Sequence, residues 1–313
     1  MLSNLILSLN TVLPLLLVMT TGYVIRGIGL MSEQTVRQVN NVNFRVFLPI
    51  LLMNNIRKAN VAQAGGLSVL IYTVAALILL FAVMMWAVPR FVKEDNRRGV
   101  VVQAMFRSNY AMFGLAVIAN LYPGQTLTLP SLMIPATAPF YNILAVICLE
   151  AFRGGKADVK TMLRKIARNP LIIACLLGIL LLAIGNPVPT FIDTALSDLG
   201  GLATTMALFV LGASFRLEAL KGNGKLLAQV TTIKLVVIPL IVLLVGILLG
   251  YRQQALASLL AAFGGPIAVS SFTMAQQMDG DGDLAAQLVI STTLFSVLTL
   301  FVFIFAFKML GML

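Results

Sequence analysis

Two stretches decide the fold: FRSNYAMFGLAVIANLYPG, which begins at Phe106, and FGGPIAVSSFTMAQQMDGD, which begins at Phe263. They align at a shift of 157 residues, close to half of the 313-residue chain, and Asn109 then falls opposite Pro266. Pro266 has no amide hydrogen and disrupts the turn before it, and Gly264 and Gly265 weaken that turn further. A helix broken there exposes backbone groups, which hydrocarbon tolerates only where they face protein or a wet cavity. Half-helix N-termini pointing into such a cavity favour an anion. The plainer alternative is a simple proline kink.

The surroundings of both stretches are intramembrane in character. The chain is 59% hydrophobic and 11% charged, with a mean hydropathy of +0.98, whereas a soluble domain has roughly 25% charged residues. A water-soluble globular enzyme is excluded. Apolar runs of membrane-spanning length are expected near residues 5–25, 39–56, 67–89, 99–121, 130–150, 170–185, 194–214, 226–250, 254–277 and 285–307. The N-terminus has neither a basic leader nor a small-residue cleavage site before its apolar stretch, so it is expected to remain as the first span.

Charge supplies the topology. Of 22 basic residues, 15 fall in connectors after odd-numbered spans, four after even-numbered spans or at the C-terminal end, and three, Arg45, Arg107 and Lys234, within spans. Positive-inside asymmetry puts the odd connectors in the cytoplasm and both termini outside. It also accounts for the net charge of +11 without a nucleic-acid partner. The connector Asp279-Gly280-Asp281-Gly282-Asp283 is acidic on that same side. It lacks the glycine and the final glutamate of an EF-hand and reads as a solvated turn.

The longest basic connector, 153–169, separates residues 1–152 from 170–313, five spans each. An odd number per half makes the halves antiparallel. Two inverted five-helix repeats with substrate at the midplane are a known transporter architecture. Spans 4 and 9 run in opposite directions with Asn109 and Pro266 near their midpoints, so the two irregular segments are expected to meet.

The chemistry concentrates around Arg107. A charge at that depth costs about 2.5 to 3.5 kcal/mol or more on insertion scales. Its planar fork suits a carboxylate; the alternatives are snorkelling or capping of exposed carbonyls. Neutral donors accompany it: Ser108, Asn109 and Tyr110 from span 4, Tyr141 and Asn142 from span 5, and Ser270, Ser271, Gln276 and Gln277 from span 9. Interhelical hydrogen bonding is the alternative role for each. Arg45, with Asn40, Asn41 and Asn43, reads as a snorkelling charge beside an inner vestibule, and Lys234 as paired or snorkelling. Gly246, Gly250, Gly200 and Gly201 read as close-packing positions. With no histidine and with Cys148 and Cys175 inside apolar runs, no metal, cofactor or disulfide is expected.

The chain resembles the auxin efflux carrier family, which includes plant carriers and bacterial permeases for small carboxylates such as malonate and malate. The resemblance rests on FRVFLPILLM in span 2, RSNYAMFG in span 4, LGGLATTMALFVLGASF in span 7, KLVVIP in span 8 and GGPIAVSSFTMAQQM in span 9. It implies an all-helical membrane fold like that of sodium/proton antiporters and bile-acid symporters. Spans 1, 2, 6 and 7 would form a scaffold, and spans 3–5 and 8–10 a moving transport domain with spans 4 and 9 crossed. Asn109 would contact substrate, and Pro266 would be the crossover proline. Where plant carriers have Gly-x-Pro in span 4, this chain has Gly114-Leu115-Ala116, so Gly114 is expected to make that break. A bacterial inner-membrane location is implied, and the resemblance is compatible with a homodimer.

All 11 acidic residues are expected in connectors or near span ends. The buried acid that cation antiporters use is therefore missing. The expected function is alternating-access efflux of a small organic anion. An ion-coupled carboxylate symporter or exchanger and a membrane-embedded sensor of a lipid or metabolite are the competing readings. An enzyme is disfavoured, because neither paired acids at depth nor a nucleophile motif is present.

Overall fold

The computed structural model describes residues 14, 17–58, 66–122, 125, 127–153, 164, 167–215 and 220–313. Most of the expected first span and of the basic connector 153–169 lies outside the described residues. The described residues are helical, with no strand among them.

Residues 17–27 form α1. Ser32 opens α2 (Glu33–Val42) by accepting the Thr35 amide at 3.1 Å, the usual way of satisfying an orphan donor, and α3 (Leu48–Arg57) continues it. Then follow α4 (Leu67–Phe91), α5 (Asp95–Phe106), α6 (Leu115–Leu121) and α7 (Thr128–Ala151). The second half holds α8 (Pro170–Ala183), α9 (Thr190–Ser214), α10 (Leu220–Thr232), α11 (Ile238–Leu248), α12 (Gln253–Gly264), α13 (Ser270–Gln277) and α14 (Gly282–Met309).

Among the described residues, five helices are long and apolar enough to cross a membrane: Leu67–Phe91, Thr128–Ala151, Thr190–Ser214, Asn223–Leu248 and Gly282–Met309. They cover expected spans 3, 5, 7, 8 and 10. Span 6 is a 14-residue helix. Span 2 and span 8 each contain one wide turn, Asn43–Phe47 and Ile233–Val237. Each wide turn ends just before a proline, Pro49 or Pro239. A proline has no N–H for the carbonyl four residues back and collides with it. Widening the helix relieves this: Leu48 N–H reaches Asn43 O and Ile238 N–H reaches Ile233 O, five residues back.

Spans 4 and 9 are interrupted. The first interruption corrects the expectation placed on Gly114. The α5 helix ends at Phe106 and Arg107 is extended, while helical turns run on through Gly114 into α6. The break is thus at residues 107–109, and a tertiary contact holds it there: the Asn109 N–H donates to the Pro266 carbonyl at 2.8 Å. Gly114 packs instead, its Cα against Tyr110 and Ala261. The second break follows Gly264, where Gly265 is extended, and the chain turns helical again at Ser270. Ile267 N–H is capped by Thr292 Oγ1 at 3.2 Å.

Small residues set the other close approaches. A methyl on Gly212 would overlap the Met19 carbonyl, and one on Gly22 the Phe209 carbonyl, so α1 lies directly on α9. Gly178 of α8 faces Met53 and Ile56, and Gly200 of α9 faces Leu51 and Asn54, which brings both helices onto α3.

Polar side chains divide the helices into two groups. Arg26 and Arg37 pair with Glu33, and Arg57 and Lys58 pair with Asp193, all among α1, α2, α3 and α9. Arg97 pairs with Asp281, Arg98 with Asp95, and Arg153 with Glu150 and Asp279, all in the segments around α5, α7 and α14. The acidic turn is therefore a clamp on two arginines rather than a purely solvated loop, and Asp281 also caps Leu284 N–H at 2.9 Å. Among the described residues no ion pair joins the two groups. Two side-chain hydrogen bonds link the first group and the neighbouring α8 to the end of α13, Asn40 Nδ2 to Gln276 Oε1 at 2.5 Å and Asn169 Nδ2 to Met278 Sδ at 3.8 Å.

Candidate functional site

The two breaks open beside a cavity of about 330 Å³. Its wall on one side is α3 and α9: Leu48, Leu51, Leu52, Asn55, Ala203, Thr204 and Ala207. The other side comprises Arg107, Ser108, Asn109, Tyr110 and Ala111 from the first break, Ala268, Val269 and Ser270 from the second, and Ile134, Thr137, Ala138, Tyr141 and Asn142 from α7. Among the described residues of that lining Arg107 is the one charged side chain, at 3% exposure.

Arg107 follows α5 directly, where the last carbonyls of a helix attract a cation. Its Nη2 donates to Asn142 Oδ1 and to Ser270 Oγ, both at 2.7 Å. Its Nη1 contacts Met274 Sδ at 3.0 Å and Tyr141 O at 3.3 Å, and Nε has no partner among the described residues. All four partners are neutral. They orient the guanidinium without neutralising it, and they come from α7, the second break and α13. The α13 helix begins at Ser270, so its N-terminal end, the positive end of its dipole, also borders the cavity.

The breaks are locked together by more than one bond. A methyl on Gly265 would stand 2.6 Å from Ala261 O and 2.8 Å from Ser108 Oγ, so only glycine allows this approach. Tyr141 Oη donates to Ala262 O at 3.2 Å, and Tyr110 Oη to Pro130 O at 2.9 Å. The carbonyl of Ala262, at the end of α12, thereby gains a side-chain donor.

Of the residues expected at the site, Arg107, Ser108, Asn109, Tyr110, Tyr141, Asn142 and Ser270 converge on the cavity. Asn109 is half-buried, and its side-chain amide has no protein partner among the described residues. Pro266 stands behind the lining and serves through its carbonyl. Ser271 is buried away from the cavity, one 100° helical step past Ser270, with Oγ unpartnered. Gln276 lies nearly two turns further on and is held by Asn40. Asn55, Thr137 and Thr204 also line the cavity; nothing in their sequence neighbourhood, with Asn54 beside Asn55 and Thr205 beside Thr204, sets them apart from other polar residues in the spans. Lys234 is fully buried with Nζ unpartnered among the described residues, and Arg45 is exposed. Both cysteines are buried free thiols, and no group of metal-ligating side chains occurs among the described residues.

The apolar helices of membrane-spanning length define the class, a multi-pass membrane protein, and the paired helix breaks and the buried Arg107 border one internal cavity within it. The sequence profile described as membrane transport protein matches residues 7–159 and 155–304. The chain thus belongs to that family, the family of the auxin efflux carriers. It is similar to proteins described as uncharacterized transporters. One from Methanothermobacter thermautotrophicus is 23% identical over 94% of this chain and 96% of its own length. One from Methanocaldococcus jannaschii is 22% identical over 93% and 96%. YfdV of Escherichia coli is 20% identical over 87% and 88%.

Proposed function

We propose that the protein is a secondary transporter that moves a small organic anion bearing a carboxylate, outward across the bacterial inner membrane, by alternating access. One observation carries the reading: the Arg107 guanidinium, buried at the cavity wall, is held among the described residues only by neutral groups. A buried cation without a counterion is costly, and an anion in the cavity supplies the missing charge. A carboxylate matches the guanidinium fork, and neutral neighbours let it leave again.

The moving parts follow from the grouping of polar contacts. The scaffold comprises α1, α2, α3, α8 and α9, and the transport domain the remaining helices, which cut across two inverted five-helix repeats with crossed spans 4 and 9. Arg107 and its hydrogen-bond partners all belong to the transport domain, and the facing scaffold wall is mostly apolar. The domain therefore slides with its charge already hydrogen-bonded and breaks no ion pair on the way. With the odd connectors inside, a membrane potential of about 100 mV contributes about 2.3 kcal/mol per charge toward export.

Purified protein in liposomes, screened for flux of labelled mono- and dicarboxylates, tests the function. Saturable, voltage-dependent flux that falls in Arg107→Met is the expected result. Carboxylate flux indifferent to both voltage and Arg107 would refute the site, and an absence of flux for every anion would refute transport.

A further inference from the structure

A second cavity, also of about 330 Å³, is lined by Arg45, Arg153, Arg164 and Arg168 together with Glu150 and Gln277. It lies along the same helices as the central cavity. On α7, Glu150 is eight residues past Asn142, about 12 Å at 1.5 Å per residue. On α13, Gln277 is seven residues past Ser270. On span 2, Arg45 comes just before Leu48. By the charge topology, all of these displacements run toward the cytoplasm.

Positive-inside charge alone explains arginines at this end, but not how they are partnered. Arg26, Arg37, Arg97, Arg98 and Arg153 at the same end each have an acidic partner. Glu150, the acid in the cavity lining, and Asp279 beyond it both bind Arg153. Arg45, Arg164 and Arg168 have no acidic partner among the described residues, although they come from two separate segments and converge on one concavity. The lining is net positive, four arginines against one glutamate, and such a cleft between low-dielectric walls concentrates anions and accelerates their capture by about 10- to 1,000-fold.

We infer that this cavity is a capture site for the transported carboxylate, a second anion site about two helical turns inward of Arg107. The inference rests on the proposed transport function. The two cavities share no lining residue, so each should bind on its own. Arg45, Arg164 and Arg168 are exposed whereas Arg107 is buried, so the affinity of the capture site is the salt-sensitive one and the central site is screened much less.

The test uses the full-length protein and malonate as probe. Binding is titrated in detergent at low and high salt, and uptake is measured in inverted membrane vesicles, which present the cytoplasmic face. The wild type should show two classes of malonate site. Arg45→Gln with Arg168→Gln should remove the salt-sensitive class and raise KM at least tenfold with kcat unchanged, whereas Arg107→Met should remove the other class. Arg164→Gln, alone in the wild-type background, should weaken the same salt-sensitive class and guards against misfolding of the double variant. A single class that ignores the arginine substitutions in the inner cavity but requires Arg107 overturns the capture site and leaves the central site standing. A single class that requires the inner arginines and ignores Arg107 overturns the central site and supports the inner one. Loss of copurified anionic phospholipid from the double variant, with malonate binding and KM unchanged, assigns the cavity to a lipid headgroup and overturns the inference.

Discussion

Replacing Arg107 separates its two roles, as a packed side chain and as an anion ligand. In the empty protein, methionine removes two strong bonds from Nη2, each worth about 1.5 to 3 kcal/mol as a hydrogen bond to a charged group. It also removes a buried cation whose desolvation penalty is several kcal/mol. The two effects oppose each other, and Asn142 and Ser270 border the cavity, where water can replace the lost donor. The melting temperature without ligand should therefore move little.

Ligand binding should change far more. Truncating one partner of a buried, hydrogen-bonded charge pair costs about 2 to 5 kcal/mol, or about 30-fold to several thousand-fold in Kd. At an anion concentration of about 100 times the wild-type Kd, binding stabilises the protein by about 2.7 kcal/mol. A 100-fold weaker variant at that concentration sits at its own Kd and gains only about 0.4 kcal/mol. Arg107→Lys keeps the charge but loses the fork and should fall between. Thermal melts with increasing malonate, alongside proteoliposome flux, measure both quantities. If Arg107→Met kept the ligand-induced shift of the wild type, the guanidinium would have no part in binding, and the anion reading of the cavity would fail.

Three further outcomes follow from packing and charge. Gly265→Ala forces a methyl against Ala261 O and Ser108 Oγ; it should cost about 1 to 3 kcal/mol and reduce flux, while Gly201→Ala, with nothing within 4 Å, should be silent in the same melts and flux assays. Lys234→Met removes a fully buried ammonium with no partner among the described residues and should raise the melting temperature by the equivalent of at least about 1 kcal/mol; a lower melting temperature would reveal a counter-charge at that site. Arg57 is buried and donates to Asn54, Asn186 and Asp193, tying α3 to the start of α9; Arg57→Met should destabilise by about 2 kcal/mol, read as a lower melting temperature with KM unchanged.

The legible part of the fold was whatever local chemistry dictates. Pro266 and the glycines before it mark a break because their own backbone forbids a regular turn, and the apolar runs of spans 3, 5, 7 and 10 became single helices. The break at Arg107 was misplaced to Gly114 because residues 107–109 contain no glycine or proline. Arg107 is extended and the helix stays open there because Asn109 N–H finds Pro266 O, a bond formed across 157 residues that no local pattern records. The wide turns at Asn43–Phe47 and Ile233–Val237 had a readable cause in Pro49 and Pro239, but whether a proline kinks, breaks or widens a helix depends on its neighbours. At the site, Arg107 was conspicuous for its charge in an apolar run. Asn55 and Thr204 were not, since an uncharged polar residue in a span more often bonds to its own helix, and only the approach of α3 to α9 puts both on one wall.

The distribution of polar contacts also bears on how the protein moves. If the two helix groups slide past each other, contacts between them must break and re-form in each cycle, and strong ones would slow it. The ion pairs respect this, since each stays within its own group. The polar bridges between groups, Asn40 to Gln276 and Asn169 to Met278, both lie toward the cytoplasmic end on the charge topology, beside the arginine-lined cavity. Met278 is a weak sulfur acceptor, so Asn40 to Gln276 is the bond that holds that end together. A neutral side-chain bond of this kind between membrane helices is worth about 0.6 kcal/mol on average, enough to bias the resting state and too little to trap it. Asn40→Leu should therefore shift the resting population by roughly threefold toward the state in which that end is parted, without loss of fold. Labelling of a cysteine introduced at Ala268, on the central cavity wall, with a small thiol reagent in inverted vesicles should become faster by a similar factor. Unchanged labelling would mean that this end is held by apolar packing instead, and that the bond between Asn40 and Gln276 has no part in gating.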